Sequence, residues 1–181
     1  MLPKFSILDQ DQEYFYNNVY QKQVTENFSR LCIGSRSREI NLLTDLLKYL
    51  DEPFFILYVL VVPRGESKAG RYQSPELTYK NLKTFLESFS EFFEHDGRMN
   101  LWVKEKNGNG LMVFDRHNYV YAYGNLNSYE EFIVSKGYIE SQLTFGGEHV
   151  HYYHKEYDAQ AKGVIDYFDW VYSPLREGDC E

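Results

Sequence analysis

Between residues 12 and 31, apolar side chains recur at Phe15, Tyr16, Val19, Tyr20, Val24, Phe28 and Leu31. That spacing follows one face of a 3.6-residue period and predicts a helix. Ser35-Arg36-Ser37-Arg38 interrupts it, with Ser37 placed to cap a second helix through Ile40, Leu43, Leu47 and Leu50. Asp51-Glu52-Pro53 ends that helix. The pattern then changes. Phe54 to Val62 is an unbroken apolar run between Pro53 and Pro63, rich in branched and aromatic residues. It predicts a central strand covered on both faces. Residues 63–74 read as a loop. Ser74-Pro75 opens a long helix, as a cap followed by a residue suited to the first helical position. Its apolar face holds Leu82, Phe85, Leu86, Phe89, Phe92 and Phe93, and Gly97 stops it. Glu87, Glu91 and Glu94, with Asp96 beyond, give it an acidic outer stripe.

The second half alternates rather than winds. Leu101 to Lys106 and Leu111 to Asp115 predict two strands joined by Asn107-Gly108-Asn109-Gly110, a hairpin signal. Asp115-Arg116-His117-Asn118 turns into a third strand. There Tyr119, Tyr121 and Tyr123 face one way, and Val120 and Ala122 the other. Ser128-Tyr129-Glu130-Glu131 fits a capping box for a short helix ending at Gly137. Gly146-Gly147 precedes a strand from Glu148 to Tyr153, and a last helix runs from Asp158 to about Tyr172.

This order lacks a strand–helix–strand repeat. It predicts an α+β fold: a mainly antiparallel sheet, made of a central apolar strand plus a meander, with helices packed on one face. Residues 1–181 read as a single domain, with a helical N-terminal segment over 1–52 and an α+β core over 53–181.

Composition narrows the class. The chain has 181 residues, 43% hydrophobic and 25% charged, as in a globular protein. No apolar run approaches the ~20 residues of a spanning helix, so no membrane is expected as partner. The N-terminus lacks a basic start followed by an apolar stretch. Only Cys32 and Cys180 occur, which reads as two unbridged thiols in a reducing, cytoplasmic compartment.

The net charge of -8 argues against nucleic acid as partner. Its distribution is uneven: residues 1–127 carry 15 basic and 16 acidic side chains, residues 128–181 carry 4 and 11. Tyrosines and Trp170 share that last third. Tyr152, Tyr153, Glu156, Asp158, Asp166 and Asp169 are therefore the candidate contacts for a basic protein partner. The tyrosine and phenylalanine content suits a homodimer face as well as a thick core.

Three further clusters could carry chemistry. His149 and His151 point to one side of a strand, and two imidazoles so placed can share a zinc ion; His154 joins them if the chain turns after Tyr153. Glu148, Glu156, Asp158 or His117 could complete such a set. Gly65 to Tyr72 follows an apolar strand as a phosphate loop does, but Arg71 and Tyr72 stand where a nucleotide loop needs Lys and Ser or Thr. The loop is read instead as presenting Arg64, Lys68 and Arg71 to an anion or partner. Asp115 beside His117 could orient an imidazole, although neighbours on a turn usually diverge.

By size, acidity and α+β pattern, the chain resembles the small cytosolic immunity proteins that neutralise bacterial toxins. The resemblance lies in general character over the whole length and implies a non-catalytic, acidic protein-binding module with no cofactor. The alternative reading is a metal-dependent, zinc-type hydrolase centred on His149, His151 and His154.

Overall fold

The computed structural model describes residues 3–7, 16–37, 39–143 and 148–179. Residues 12–15, Gly146, Gly147 and Cys180, on which some expectations rest, lie outside them.

The helix expected over 12–31 is replaced, from residue 16 on, by strands. Short β1 (Phe5–Ile7) is followed by β2 (Val19–Val24) and β3 (Ser29–Gly34), paired as an antiparallel hairpin. The apolar spacing fits a helical period, and strand pairing overrides it. Tyr20, Leu31 and Ile33 enter the core, while Val24 stays 69% exposed, which a core-facing helical stripe would not allow. Thr25 sets the turn: its hydroxyl accepts the amides of Asn27 and Phe28. The N-terminal segment therefore starts with strands. Its helical part is α1 (Glu39–Leu46), extended by a 3-10 turn over Leu47–Tyr49.

The central apolar strand forms as β4 (Phe54–Leu60). The expected loop over 63–74 contains a further strand, β5 (Gly70–Gln73), antiparallel to β4. The long helix begins later than Ser74 and is split into α2 (Tyr79–Ser88) and α3 (Ser90–His95). Thr78 caps α2 by accepting the Asn81 amide, while the Ser74 hydroxyl accepts the Ile56 amide and ties the loop to β4. The acidic stripe is not a solvated face throughout. Asp96 is fully buried against Arg98, and Glu94 accepts the Ile40 amide.

The meander is β6 (Met99–Glu105), β7 (Leu111–Phe114) and β8 (Tyr119–Tyr123). Glu105 closes its first turn by accepting the amides of Gly110 and Asp51. Then follow α4 (Leu126–Ser135), capped by Asn125 rather than Ser128, β9 (Ile139–Glu140), β10 (His149–His151) and α5 (Asp158–Tyr167). Residues 171–173 form β11 (Val171–Ser173) instead of a last helical turn.

Among the described residues, nine strands form one sheet in the order β11-β5-β4-β6-β7-β8-β3-β2-β9, antiparallel except for the β2–β9 pair. A separate two-stranded sheet pairs β1 with β10. The buried sides of all five helices share one core with Leu31, Ile33, Phe54, Ile56, Leu101, Val103, Met112 and Val120. The α+β class with a mostly antiparallel sheet therefore stands. No helix among the described residues is long and apolar enough to cross a membrane.

Period two sends alternate residues to the other side of the sheet. There Cys32 and Tyr119 join Phe5 and Tyr16 in a second, smaller cluster. The β1–β10 ribbon lies against that end, so the last histidines of the chain meet the turn between β7 and β8.

Candidate functional site

The β7–β8 turn, Asp115 to Asn118, is built around one carboxylate. Asp115 Oδ1 accepts the amides of His117 (2.9 Å) and Tyr119 (2.8 Å). Its Oδ2 lies 3.1 Å from His117 Nδ1. A carboxylate only accepts, so Nδ1 carries the proton and His117 Nε2 presents its lone pair. Asn118 takes the left-handed conformation, φ 58°, that closes the turn. Asp115 and His117 thus face each other in spite of their adjacency.

His149 and His151 project from β10 toward this turn, as their spacing predicts. His149 Nε2 and His117 Nε2 share a hydrogen bond of 3.0 Å. Ring centroids of His117 lie 4.8 Å from those of both His149 and His151. One nitrogen from each of the three lies within 4.8 Å of the others. Burial lowers the His149 pKa, and pushes that of His151 down to about 2, with Arg116 adding to the latter effect. Both rings are therefore neutral at physiological pH. His151 Nδ1 is buried and has no hydrogen-bond partner among the described residues.

The walls explain the geometry. The Phe5 ring stands 5.8 Å from His117 and 6.2 Å from His151. The Tyr16 hydroxyl donates to the His117 carbonyl at 2.9 Å. Gly97 faces His151, where a methyl group would come within 3.1 Å of the imidazole's Cβ. Lys4, fully buried, donates to the carbonyls of Phe93 and Asp115, both at 2.9 Å. Burial lowers its pKa to about 8.

His154 stands apart from this group. Its Nε2 donates to the Pro3 carbonyl at 2.6 Å, its amide donates to Asp96 Oδ2 at 2.8 Å, and its ring stacks on Tyr152. His117 is the member that spacing alone did not select.

No family model, no characterised protein and no solved structure matches this chain.

The other sequence candidates are dispersed. In the loop, Arg64 pairs with Asp158 at 3.0 Å and Arg71 with Asp179 at 3.3 Å, while Lys68 lies over the Tyr172 ring. The three cations do not converge. Of the acidic–aromatic set, the Tyr152 hydroxyl meets Ser6, the Tyr153 hydroxyl accepts from Arg116, and Asp158 accepts from Arg64 and Arg98. Asp166 pairs with Lys162, and Glu156 and Asp169 are exposed. Cys32 is buried in β3 rather than on a helix, and burial pushes its thiol up to about 12. That setting makes it an inert core thiol.

Proposed function

We propose that this chain is a metalloprotein whose centre is one divalent transition-metal ion, zinc by preference, held by His117, His149 and His151 for hydrolytic chemistry. The observation that carries this reading is the convergence of three imidazole nitrogens within 4.8 Å of one another. Tetrahedral zinc with bonds of 2.0–2.1 Å separates its ligand nitrogens by roughly 3.3 Å. The His117–His149 pair, at 3.0 Å, already lies close to that spacing. Side-chain rotation of His151 supplies the rest.

Three features support it. Burial favours the neutral form of His149 and His151, the form a ligand must take. Asp115 holds His117 in the tautomer that offers Nε2, the carboxylate–histidine arrangement that raises ligand basicity. Nitrogen donors without thiolate suit zinc, copper, iron or nickel rather than magnesium or calcium. Three imidazoles leave a corner of a tetrahedron for water, whose pKa such an ion lowers to about 7. The cytoplasm is the compartment assigned with this reading, where Cys32 stays a reduced thiol.

The test is elemental analysis of untagged protein prepared without chelator and then equilibrated with zinc. About one ion per chain is expected, lost in His117→Ala and in the His149→Ala/His151→Ala double variant, and kept in His154→Ala. Metal-free wild type, or equal zinc in folded triad variants, overturns the proposal. A zinc-dependent ester or phosphoester hydrolysis lost with His117 would extend it to catalysis.

A second reading, the immunity-type module for a basic protein, draws on a different place. Tyr167, Val171 and Tyr172 are exposed large side chains beside exposed Asp166 and Asp169. Acid around exposed aromatics suits a basic surface. A basic partner cross-linked in cells should lose affinity for an Asp166→Asn/Asp169→Asn/Tyr172→Ala variant and in high salt. Unchanged binding by that variant rejects this reading.

A further inference from the structure

The helices leave the opposite side of the nine-stranded sheet partly open, and its register sets out what that side offers. One row runs Phe55, Lys104, Leu111 and Tyr123 across β4, β6, β7 and β8, and Arg30 of β3 joins it by its bond to the Tyr123 hydroxyl. The next row runs Leu57, Trp102, Val113 and Tyr121. Two adjoining cavities of about 410 and 380 Å³ lie over these rows and meet at Trp102 and Leu111. The size is that of small-molecule sites; the lining is mainly apolar around Phe55 and Leu57 and mixed around Arg30.

The polar lining comprises Gln73, Asn100, Asp115 and two cations, Arg30 and Lys104. Arg30 Nε donates to Gln23 and Nη1 to the Tyr123 hydroxyl, each at 2.7 Å. Its guanidinium lies 4.1 Å from the Tyr121 ring centre and 4.8 Å from that of Phe28. These contacts fix its plane and leave Nη2 unused among the described residues. Lys104 donates to the carbonyls of Glu105 and Gly108. Neither side chain forms an ion pair among the described residues, in a chain whose net charge is -8. A stacked, pre-oriented guanidinium recognises a planar carboxylate. Three strand spacings separate the two cations, roughly 14 Å.

We propose that this trough binds a small amphipathic carboxylate, its head on Arg30 and its apolar body along Leu111, Trp102 and Leu57 toward Phe55. An extended ten-carbon acid matches the span. Asp115 lines the same cavity as Arg30, and the head is placed on Arg30 because the guanidinium is the cation of that cavity. The site contains none of the three histidines, meets their turn only at Asp115, and needs no metal.

The test titrates decanoate, below its micelle concentration, into the full chain carrying Trp170→Phe, so that fluorescence reports Trp102. A saturable one-to-one response is expected. Arg30→Gln should weaken it at least tenfold, and decanol should bind at least tenfold more weakly than decanoate. Leu111→Glu, which leaves Arg30 intact and sets a negative charge in the middle of the trough, should abolish it. Circular dichroism and melting establish that each variant is folded, and a variant that is not is replaced by Tyr123→Phe, expected to weaken binding by freeing the guanidinium. No saturable response, or equal affinity in folded Arg30→Gln and Leu111→Glu, overturns the proposal. Metal content is irrelevant to either outcome, so this result and the zinc result stand independently.

Discussion

Asp115 divides its two oxygens between fold and chemistry: Oδ1 closes the β7–β8 turn through two amides, and Oδ2 orients His117. Asp115→Asn can keep the first role if its carbonyl faces the amides. Its NH2 then meets the ring N–H and loses the second. Zinc affinity should fall 10–100-fold by competition titration while the protein remains folded. Unaltered affinity would remove Asp115 from the site. Glu39 is a residue of the opposite kind, 5% exposed at the start of α1. Burial raises its pKa to about 7, with the Glu94 charge adding to the effect. Between about 4.5 and 7 the folded chain binds more protons than the unfolded one, so stability falls as pH rises through that window. The cost above pH 7 is on the order of 3 kcal/mol. Glu39→Gln should flatten that slope and unfold at higher urea than wild type at pH 8. Steeper loss of stability would reverse the assignment. The residue scale also shows what spacing can select. His149 and His151 were legible because two residues along a strand share a side. His117 entered only as one of four residues able to complete the set, since β10 reaches it only across the folded molecule.

Elements were read well where one period excluded the other. The meander follows from the Asn-Gly turn and from alternation in its third strand, and β4 from length, branching and bounding prolines. Residues 19–34 carry a helical spacing, which the pairing of β2 with β3 and of β3 with β8 overrides. The split between α2 and α3 had no sequence sign, since Phe89 continues the apolar face and still packs on Phe85 and Phe93. The segments joining elements hold a similar lesson. Arg98, fully buried, donates to Asp96, Glu66, Asp158 and the His154 carbonyl, so it links four parts of the chain. Nothing in the local sequence distinguishes it from a surface arginine. Arg98→Met should cost about 3–5 kcal/mol, because it leaves buried carboxylates unpaired. Urea unfolding measures this, and a loss under 1 kcal/mol would contradict it.

At the scale of the molecule, the three-histidine site joins two sheets: His117 belongs to a turn of the large one, His149 and His151 to the ribbon. A ligand that binds only the folded chain stabilises it by mass action, about 2.7 kcal/mol at one hundred times its dissociation constant. For a chain of this size that is a rise in melting temperature of roughly 5–10 °C. Calorimetry with added zinc should show it in wild type and not in His149→Ala/His151→Ala. The acidic last third, by contrast, spends several of its carboxylates and tyrosines on internal bonds, which leaves a smaller exposed patch than charge counting implies.

The pairing of β1 with β10 has a consequence for how the chain is made. Ser6 and Tyr152, in contact through their hydroxyls, lie 146 positions apart. At ~5–20 residues per second of synthesis, the first strand waits roughly 7–30 s for its partner to leave the ribosome. β2 and β3 can close on each other early, but their neighbour β8 is still unmade. The ribbon and its histidines are therefore a late product of biosynthesis, and a nascent chain halted before residue 149 carries a docked-side surface with no cover.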